Sequence, residues 1–379
     1  MSVARGEPID SRHDDTRRNR SLWGRIAWAA TFVLLAAVIY LLVAPTGVEP
    51  VSWPKPDATP LEGPWAPNES LREHRRITTG AGPEDVAVAA DGRMFTGLAD
   101  GRVLVIEGDA APRTWCTTGG RPLGLAFAPD GALWIADARR GLLRTDETGA
   151  IVETIDHADD GSRIALADEL VFTKAGTIWF TDASSRWDVE DSVLDALENQ
   201  ATGRVLHHDP HAGTTQVVFD ELRFANGIVL AADEQSLLVS ETFAYRVTRL
   251  WIDGPRKGQR EPFTEVLPGF VDNLDLDADG TLWIGIPSLR SGLLDALLPH
   301  PWVRRVLSRI PLALQPTPPP YGLILGVGPD GAPRFALHDP QGDVFAITSA
   351  TPITTRFGDE LVLGSLHADA LVRITRPRP

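Results

Sequence analysis

The chain has 379 residues, of which 43% are apolar and 23% are charged, so it is long enough and apolar enough for one large globular domain. The formal net charge of −15 excludes the basic, phosphate-tracking surface of a nucleic-acid-binding protein. The single cysteine excludes an internal disulfide framework and any zinc site that needs several thiolates.

The first predicted element is a membrane-spanning helix over residues 26–44. This stretch carries no charge, and at about 1.5 Å per residue it is long enough to cross the hydrocarbon core of a bilayer. Arginines cluster on its N-terminal side, between Arg12 and Arg25, whereas the first basic residue after it is Lys55. The positive-inside rule therefore predicts a cytoplasmic basic tail over 1–25 and an extracytoplasmic location for the remainder.

We expect this helix to stay in the mature protein as a signal anchor. The alternative is a cleaved signal peptide, which is disfavoured because the apolar run is long and Val43-Ala44-Pro45 is a poor cleavage site. Residues 45–76 follow as a spacer. Its many prolines predict a partly extended chain without a packed core, which stands the folded part off the membrane.

Residues 77–379 alternate short β-rich runs with Asp-Gly turns. Each turn follows one alternating apolar strand and precedes another, which is typical of a β-hairpin. The hairpins recur about every 40 to 50 residues, near positions 91, 130, 175, 233, 279 and 358. The turn is Asp-Gly at 91, 130 and 279 and Ala-Gly at 175, with weaker copies at Asp233-Glu234 and Gly358-Asp359. Asp330-Gly331 interrupts this count, and we interpret it as an outer turn of an enlarged fifth unit. The pattern predicts an all-β fold, a six-bladed β-propeller.

The repeat also predicts a metal site. Seven residues before each mark the inner strand of a blade begins, and equivalent residues of all blades face one level of the central channel. These positions hold Glu84, Leu123, Asp168, Asn226, Asp272 and Thr351. Glu84, Asp168, Asn226 and Asp272 are the candidate metal ligands. Carboxylate and amide oxygens, without thiol or imidazole, suit Ca²⁺ or another hard divalent cation. The alternative is a wet channel lined by polar strand ends.

Four further residues are candidates for proton transfer. Asp85, Glu169 and Asn273 directly follow three of the candidate ligands. His367 is the one histidine that we place on a loop beside the metal, where a neutral imidazole is a reasonable general base. For His367 the alternative is an ordinary surface-loop histidine.

Two insertions, near 186–204 and 287–321, are predicted to leave the propeller on the face of the metal site. Loops of this length inside a compact fold usually act as lids or binding elements. The second insertion combines an apolar stretch, Leu293 to Leu314, with several arginines. It is expected either to cap the channel mouth or to dip into a bilayer interface.

Several segments resemble known families. Gly82–Val86, Phe224–Ile228 and Val271–Leu274 resemble the calcium-site segments of paraoxonases and regucalcin-type gluconolactonases. Four more segments resemble the strictosidine synthase-like branch of that superfamily, which includes adipocyte plasma membrane-associated protein: Arg121–Leu125, Phe180–Trp187, Leu267–Phe270 and Pro301–Val303. The resemblance implies a six-bladed propeller with a metal ion in its channel, and hydrolysis of esters or lactones as the usual chemistry.

The chain departs from these families in three ways. Asp168 stands where they commonly have Asn, and an extra negative ligand should tighten metal binding while blunting the Lewis acidity of the metal. Leu123 and Ala138 occupy the positions of the paraoxonase histidine pair. The glutamate that serves strictosidine synthase as its base has no counterpart, because residues 349–358 contain no carboxylate.

We therefore expect a membrane-anchored, metal-dependent hydrolase of small hydrophobic esters or lactones. Its expected cofactor is Ca²⁺ or another hard divalent cation, and its expected partners are that substrate and, through residues 26–44, a membrane. No nucleic-acid partner is expected. The main alternative is a non-catalytic, metal-stabilised binding scaffold, and the third choice is a synthase that condenses an amine with an aldehyde.

Overall fold

The structure, a computed structural model, describes residues 12–57, 59–311, 314–315, 317–356 and 358–378. The first eleven residues of the expected cytoplasmic tail lie outside this description. So do three residues of the second insertion, Leu312, Ala313 and Pro316.

Within the described ranges the strands form six antiparallel sheets of four strands each, which confirms the six-bladed propeller. Blades one to three contain β2 Ala87–Val88, β3 Met94–Gly97, β4 Arg102–Ile106, β5 Arg113–Thr117; β6 Pro122–Phe127, β7 Leu133–Asp137, β8 Gly141–Thr145, β9 Ile151–Ile155; and β10 Ala167–Phe172, β11 Ile178–Asp182, β12 Gly203–Asp209, β13 Thr214–Leu222.

The remaining blades include the strand nearest the N-terminus. Blades four to six contain β14 Ala225–Leu230, β15 Ser236–Glu241, β16 Arg246–Trp251, β17 Arg260–Pro262; β18 Leu274–Leu276, β19 Leu282–Gly285, β20 Gly322–Val327, β21 Pro333–Asp339; and β22 Ile347–Thr355, β23 Gly358–Ser365, β24 Ala370–Thr375, β1 Arg75–Thr78. Because β1 pairs with β24, both ends of the domain share the sixth blade and close the ring.

The Asp-Gly turns form because each supplies two local requirements. In the second blade the Asp130 carboxylate accepts a hydrogen bond from the Ala132 amide at 3.0 Å, and Gly131 adopts a φ of +86°. An Asp side chain closes such a turn, and glycine takes positive φ without steric cost. Apolar side chains of successive blades then pack between the sheets, as Phe95, Leu125 and Ile135 do between blades one and two.

The inner strands are irregular at their channel ends. In β6, β10, β14 and β22 the pairing register shifts near the start of the strand, as it does at a β-bulge. In β10 the shift falls between Ala167 and Leu170, so Asp168 and Glu169 together oppose one residue of β11. Bulges re-aim side chains, and here they lie where the candidate ligands begin.

The sixth blade corrects one predicted position. Ala350 pairs with Leu363 as Leu125 pairs with Ile135 in the second blade. The channel-level residue of blade six is therefore Thr348 rather than Thr351. The counting rule failed because the β22–β23 hairpin is longer than the others before it turns.

Four α-helices complete the described part. They are α1 Arg12–Val43, α2 Ser192–Glu198, α3 Gly292–Leu297 and α4 Pro301–Leu307. The apolar stretch Arg25–Val43 of α1 is long enough to span a membrane and none of it is buried. Helix α2 belongs to the first insertion, between β11 and β12, and α3 and α4 belong to the second, between β19 and β20.

The segment 45–76 differs from the free spacer expected of its composition. Val48, Trp65 and Leu71 are buried, and the Val51 and Trp53 amides donate to carbonyls of the two insertions. A proline-rich chain lacks many amide donors, but its remaining amides and its few large apolar side chains are enough to attach it to the domain.

Candidate active site

A cavity of about 430 Å³ opens at the end of the channel where the inner strands begin. Four polar residues from blades one, three, four and five form its floor: Glu84, Asp168, Asn226 and Asp272. All four are buried. The structure thus brings the four candidate metal ligands to one cavity.

A close approach of two inner strands positions Asp168. A Cβ atom at Gly124, in β6, would lie 2.6 Å from the Asp168 carbonyl oxygen and 2.7 Å from Oε1 of Glu169. Only glycine fits there, because real Cβ contacts are not that short. The glycine after Leu123 therefore lets blade two press against the bulge of blade three.

The floor carboxylates are held in an environment that disfavours their charge. Burial, then the nearby carboxylate of Glu84, raises the pKa of both Asp168 and Asp272 well above their usual range. Burial also raises the pKa of Glu84, but the guanidinium of Arg121, whose Nη2 lies 2.7 Å from Oε2, opposes that shift. A cation at the floor would compensate the remaining charges.

The donor atoms at the floor fit a hard cation. Oδ1 of Asp168, of Asn226 and of Asp272 is buried without a hydrogen-bond partner, and the Asn226 side chain donates to Asp272. Unpartnered buried oxygens are costly unless something compensates them. The described residues nevertheless contain no group of three or more His, Cys, Asp or Glu side chains poised to hold a metal ion. The floor is thus a set of neighbouring oxygens rather than a finished coordination shell.

Three of the expected catalytic residues do not line the cavity. Oδ2 of Asp85 accepts the Leu125 amide at 3.1 Å, and Oε1 of Glu169 accepts the Leu170 amide at 2.8 Å, so both carboxylates turn to backbone donors. Asn273 is buried, and its side-chain nitrogen and oxygen both lack a partner.

One acidic residue of this region was missed by the sequence analysis. Burial, then Asp85, raises the pKa of Asp275 to about 8, and Asp85 and Asp275 in turn contribute to the raised pKa of Glu169. Burial raises the pKa of Asp85 itself to about 6. The signal for Asp275 was its place two residues after Asn273, since alternate residues of a strand share a face.

His367 is the one expected proton-transfer residue that lines the cavity. It lies on the loop between β23 and β24 and its residue surface is exposed, so it occupies the rim rather than the floor. An imidazole at a rim can exchange protons with solvent and with a molecule in the cavity.

The walls of the cavity are apolar. Phe224, Phe243 and Phe270 form a chain of ring contacts, with centroids 4.7 Å apart for the first pair and 6.2 Å for the second. Leu123 and Ala138, the positions of the paraoxonase histidine pair, are buried in the same apolar cluster as the first two rings. The site therefore offers hydrophobic contact where those enzymes hold two imidazoles.

Both insertions contribute to the cavity wall. From the first come Val189, Ser192, Val193 and Ala196, and from the second come Pro287, Ser288, Thr317, Pro318, Pro319, Pro320 and Tyr321. The polar floor is thus enclosed by segments that do not belong to the repeat.

Comparison with known proteins identifies the family. Residues 168–255 match the family described as strictosidine synthase, and residues 63–106 match the N-terminal part of strictosidine synthase-like proteins. The human adipocyte plasma membrane-associated protein is 31% identical over 97% of this chain and 94% of its own length. The chain belongs to the strictosidine synthase-like family. Its family match covers three of the four floor positions, Glu84, Asp168 and Asn226.

Solved structures share the fold of this family member at low sequence identity. A gluconolactonase from Xanthomonas campestris superposes with a TM-score of 0.58 at 20% identity, covering 88% of this chain and 99% of its own. The calcium-binding protein regucalcin from Agrobacterium tumefaciens superposes with a TM-score of 0.53 at 14% identity, covering 80% and 97%. Both comparisons establish the propeller, and neither establishes an activity.

Proposed function

We propose that this strictosidine synthase-like protein is a metal-dependent hydrolase of hydrophobic esters or lactones. The observation that carries the proposal is the cavity itself, where side-chain oxygens from four blades meet beneath apolar walls and those from three of the blades lie unpartnered. The relatives support it, since one structural neighbour is a gluconolactonase and another is described as a calcium-binding protein.

Glu84, Asp168, Asn226 and Asp272 are the residues that would hold the cation, with Ca²⁺ as the expected ion. A divalent cation at such a floor supplies Lewis-acid polarisation of a carbonyl oxygen and eases deprotonation of water. Arg121 keeps Glu84 oriented by its 2.7 Å contact and by a second hydrogen bond to the Gly82 carbonyl at 3.0 Å. The chain thus fixes one ligand before any cation arrives.

The other residues of the cavity have separate roles. The three phenylalanines would bind the apolar part of an ester or lactone and exclude bulk water from the floor. His367 is the proposed acceptor of the proton from the attacking water, because it is a histidine that lines the cavity and imidazole is a common general base. Asp85, Glu169 and Asn273 would act indirectly, by positioning the strands that carry the ligands.

The membrane location is part of the proposal. The apolar stretch Arg25–Val43 has no buried residue, and the human relative is named as plasma membrane-associated. We infer a single-pass anchor over 26–44 with a cytoplasmic N-terminus and an extracytoplasmic propeller.

One alternative has a specific observation in its favour. A non-catalytic scaffold, with the cation only stiffening the channel, would explain why Leu123 and Ala138 replace a proton-transfer pair by buried apolar groups. Such a scaffold would respond to the cation in stability but not in turnover.

The test uses the full chain in detergent, stripped with a chelator and titrated with Ca²⁺. Thermal unfolding and hydrolysis of phenyl acetate and a lactone panel are followed together. The variant is Asp272→Asn, and the matched control is Asp279→Asn, an exposed turn residue of the same blade. We expect Ca²⁺ to raise the Tm and activate hydrolysis in the wild type and the control but not in Asp272→Asn. Stabilisation without turnover would favour the scaffold, and no response to any divalent ion would leave only a polar channel lining.

A further inference from the structure

The second insertion holds the end of the apolar helix. Nε of Arg309 donates to the Ala44 carbonyl at 2.5 Å and Nη1 donates to the Leu41 carbonyl at 3.2 Å. The hydroxyls of Thr46 and Ser308 lie 3.0 Å apart. The last turn of α1 is therefore bonded to the residues that directly follow α4.

A buried arginine fixes the same insertion to the chain that leaves α1. Arg304 of α4 is fully buried and donates to carbonyls of Val51, Leu197 and Leu298. Val51 belongs to the segment after α1, Leu197 belongs to α2, and Leu298 directly follows α3. These hydrogen bonds connect the two insertions and the segment 46–53 with the end of α1.

The outer face of the insertion is apolar and basic. Trp302 is 70% exposed and Arg305, three residues on, is also exposed, so the two share one face of α4. Arg309 follows shortly after the helix. Leu293 of α3 and Leu314 are 64% and 74% exposed. Trp and Arg beside exposed aliphatic side chains are typical of a helix that lies in a membrane interface.

Charge supports a lipid partner over a solvated face. Within residues 287–321 the one acidic residue is Asp295, which is buried and paired with Arg290 at 2.9 Å. In the described part of this insertion Arg305 is the exposed charge and Arg309 is half-buried, so the charge presented there is positive, although the whole chain carries −15. Anionic headgroups attract such a patch while they repel the rest of the protein.

We infer that the second insertion lies on the anionic headgroup surface of the membrane that α1 crosses, with Trp302 and Leu293 in the interface. This inference rests on the proposed anchoring through 26–44. Trp302 lies at the start of α4, and the residues that follow α4 are bonded to the end of α1. The seven-residue helix is about 10 Å long, which keeps Trp302 within reach of the headgroup layer beside the end of α1. Because the same insertion lines the cavity, a substrate dissolved in the lipid would meet the cavity without crossing bulk water.

The test places an environment-sensitive nitrobenzoxadiazole probe on single introduced cysteines of the full chain. The natural Cys116 does not compete for the label, because it is buried and burial raises the pKa of its thiol to about 11. The protein is reconstituted in vesicles of phosphatidylcholine and phosphatidylglycerol, with or without a lipid that carries a quencher near its headgroup. Trp302→Cys reports the inferred contact, and Ala296→Cys, on the face of Leu293, reports it with Trp302 in place. Val152→Cys, exposed on an outer strand, is the negative control.

Phe32→Cys, in the middle of the apolar helix, separates this inference from the anchor proposal. We expect the lipid quencher to lower the Trp302 and Ala296 signals at least two-fold and to leave Val152 unchanged. If the Phe32 probe enters the hydrocarbon and neither the Trp302 nor the Ala296 probe is quenched, the docking inference is overturned while the anchor proposal stands. If the Trp302 and Ala296 probes are quenched and the Phe32 probe stays in water, the anchor proposal is overturned and membrane docking of the insertion is supported without it. If the fluorescence of the Trp302 and Ala296 probes changes only with protein concentration, the face binds a second copy of the chain, and the inference of a lipid partner is overturned.

Discussion

Arg121 and Glu84 form a buried ion pair across the first two blades, with 2.7 Å between Nη2 and Oε2. Both side chains are less than a tenth exposed. The same guanidinium also donates to the Gly82 carbonyl, and the Arg121 amide donates to Asp137 at 3.0 Å. The floor of the cavity thus has one acid, Glu84, that is paired with a cation of the protein. Among the described residues Asp168 and Asp272 form no ion pair, and burial raises the pKa of both.

Replacing Arg121 by Met should destabilise the metal-free protein by about 3–5 kcal/mol, because it leaves Glu84 buried without its partner. Saturating Ca²⁺ should restore part of the loss, because a cation held by Glu84 would compensate its unpaired charge. The measurement is the free energy of unfolding in urea, with and without Ca²⁺. Arg102→Gln is the matched control, since its 2.8 Å pair with Asp100 is exposed and worth less than about 1 kcal/mol. Equal losses in the two variants would contradict a special role for the buried pair.

Gly124→Ala should weaken the cavity floor without touching a polar group. The added methyl would meet the Asp168 carbonyl at 2.6 Å, so β6 and β10 must separate, at a cost of about 1–3 kcal/mol. We also expect lower affinity for Ca²⁺, because Asp168 moves with its strand. Calorimetric titration with Ca²⁺ and urea unfolding give the two readouts. Gly292→Ala is the control, since nothing lies within 4 Å of its Cβ position. Unchanged Ca²⁺ affinity in Gly124→Ala would show that Asp168 is not a ligand.

The repeated hairpins made the ring and its floor predictable. An Asp-Gly turn fixes the register of the strand before it, and a fixed register puts equivalent residues at one level of the channel. The four floor residues therefore came from spacing alone. The sixth blade broke the rule because its hairpin is longer, which moved the channel level from Thr351 to Thr348.

Contacts between distant parts of the chain were not predictable in this way. Arg121 pairs with a residue in another blade, and no periodicity links the two positions. The segment 45–76 looked like a free spacer because proline dominates its composition, yet its contacts depend on a few amides and on Arg304, far along the chain. Trp65 and Leu71, both buried, could have predicted these contacts, because large apolar side chains are uncommon in a fully solvated spacer.

Asp195 should give the first insertion a pH-dependent stability. It lies in α2 and is buried, and burial raises its pKa from 3.8 to about 7 despite an opposing hydrogen bond with Ser184. Between about pH 4 and pH 7 the folded state therefore binds more protons than the unfolded state, and stability falls as pH rises through this window. The difference between 3.8 and about 7 corresponds to about 4 kcal/mol.

The measurement for Asp195 is the difference in unfolding free energy between wild type and Asp195→Asn at several pH values. The variant should match the wild type near pH 4 and exceed it by up to about 4 kcal/mol at pH 8, because the amide stays neutral. Asp188→Asn, an exposed acid of the same insertion, should follow the wild type throughout. A pH-independent difference for Asp195→Asn would mean that its carboxyl keeps an ordinary pKa.

Arg304 should determine whether the insertions and the segment after α1 hold together. Its guanidinium bonds carbonyls from four residues, Val51, Leu197, Glu198 and Leu298, and it is fully buried. Arg304→Met removes all of these donors. The Glu198 and Leu298 carbonyls still accept the Val51 and Trp53 amides, whereas the loss at the Val51 and Leu197 carbonyls should cost about 1–3 kcal/mol each. Arg304→Lys should restore little, because one ammonium lacks the fork that spans several acceptors. We expect new proteolytic cuts within 45–60 and 287–311 while the blades resist digestion, and Arg305→Gln, at the exposed neighbouring position, should cut like the wild type. If Arg304→Met is cut no faster than the wild type, the insertions are held by their apolar contacts alone. The Arg304 hydrogen bonds would then not fix the cavity wall to the end of α1, and they would not support docking of the insertion on the membrane.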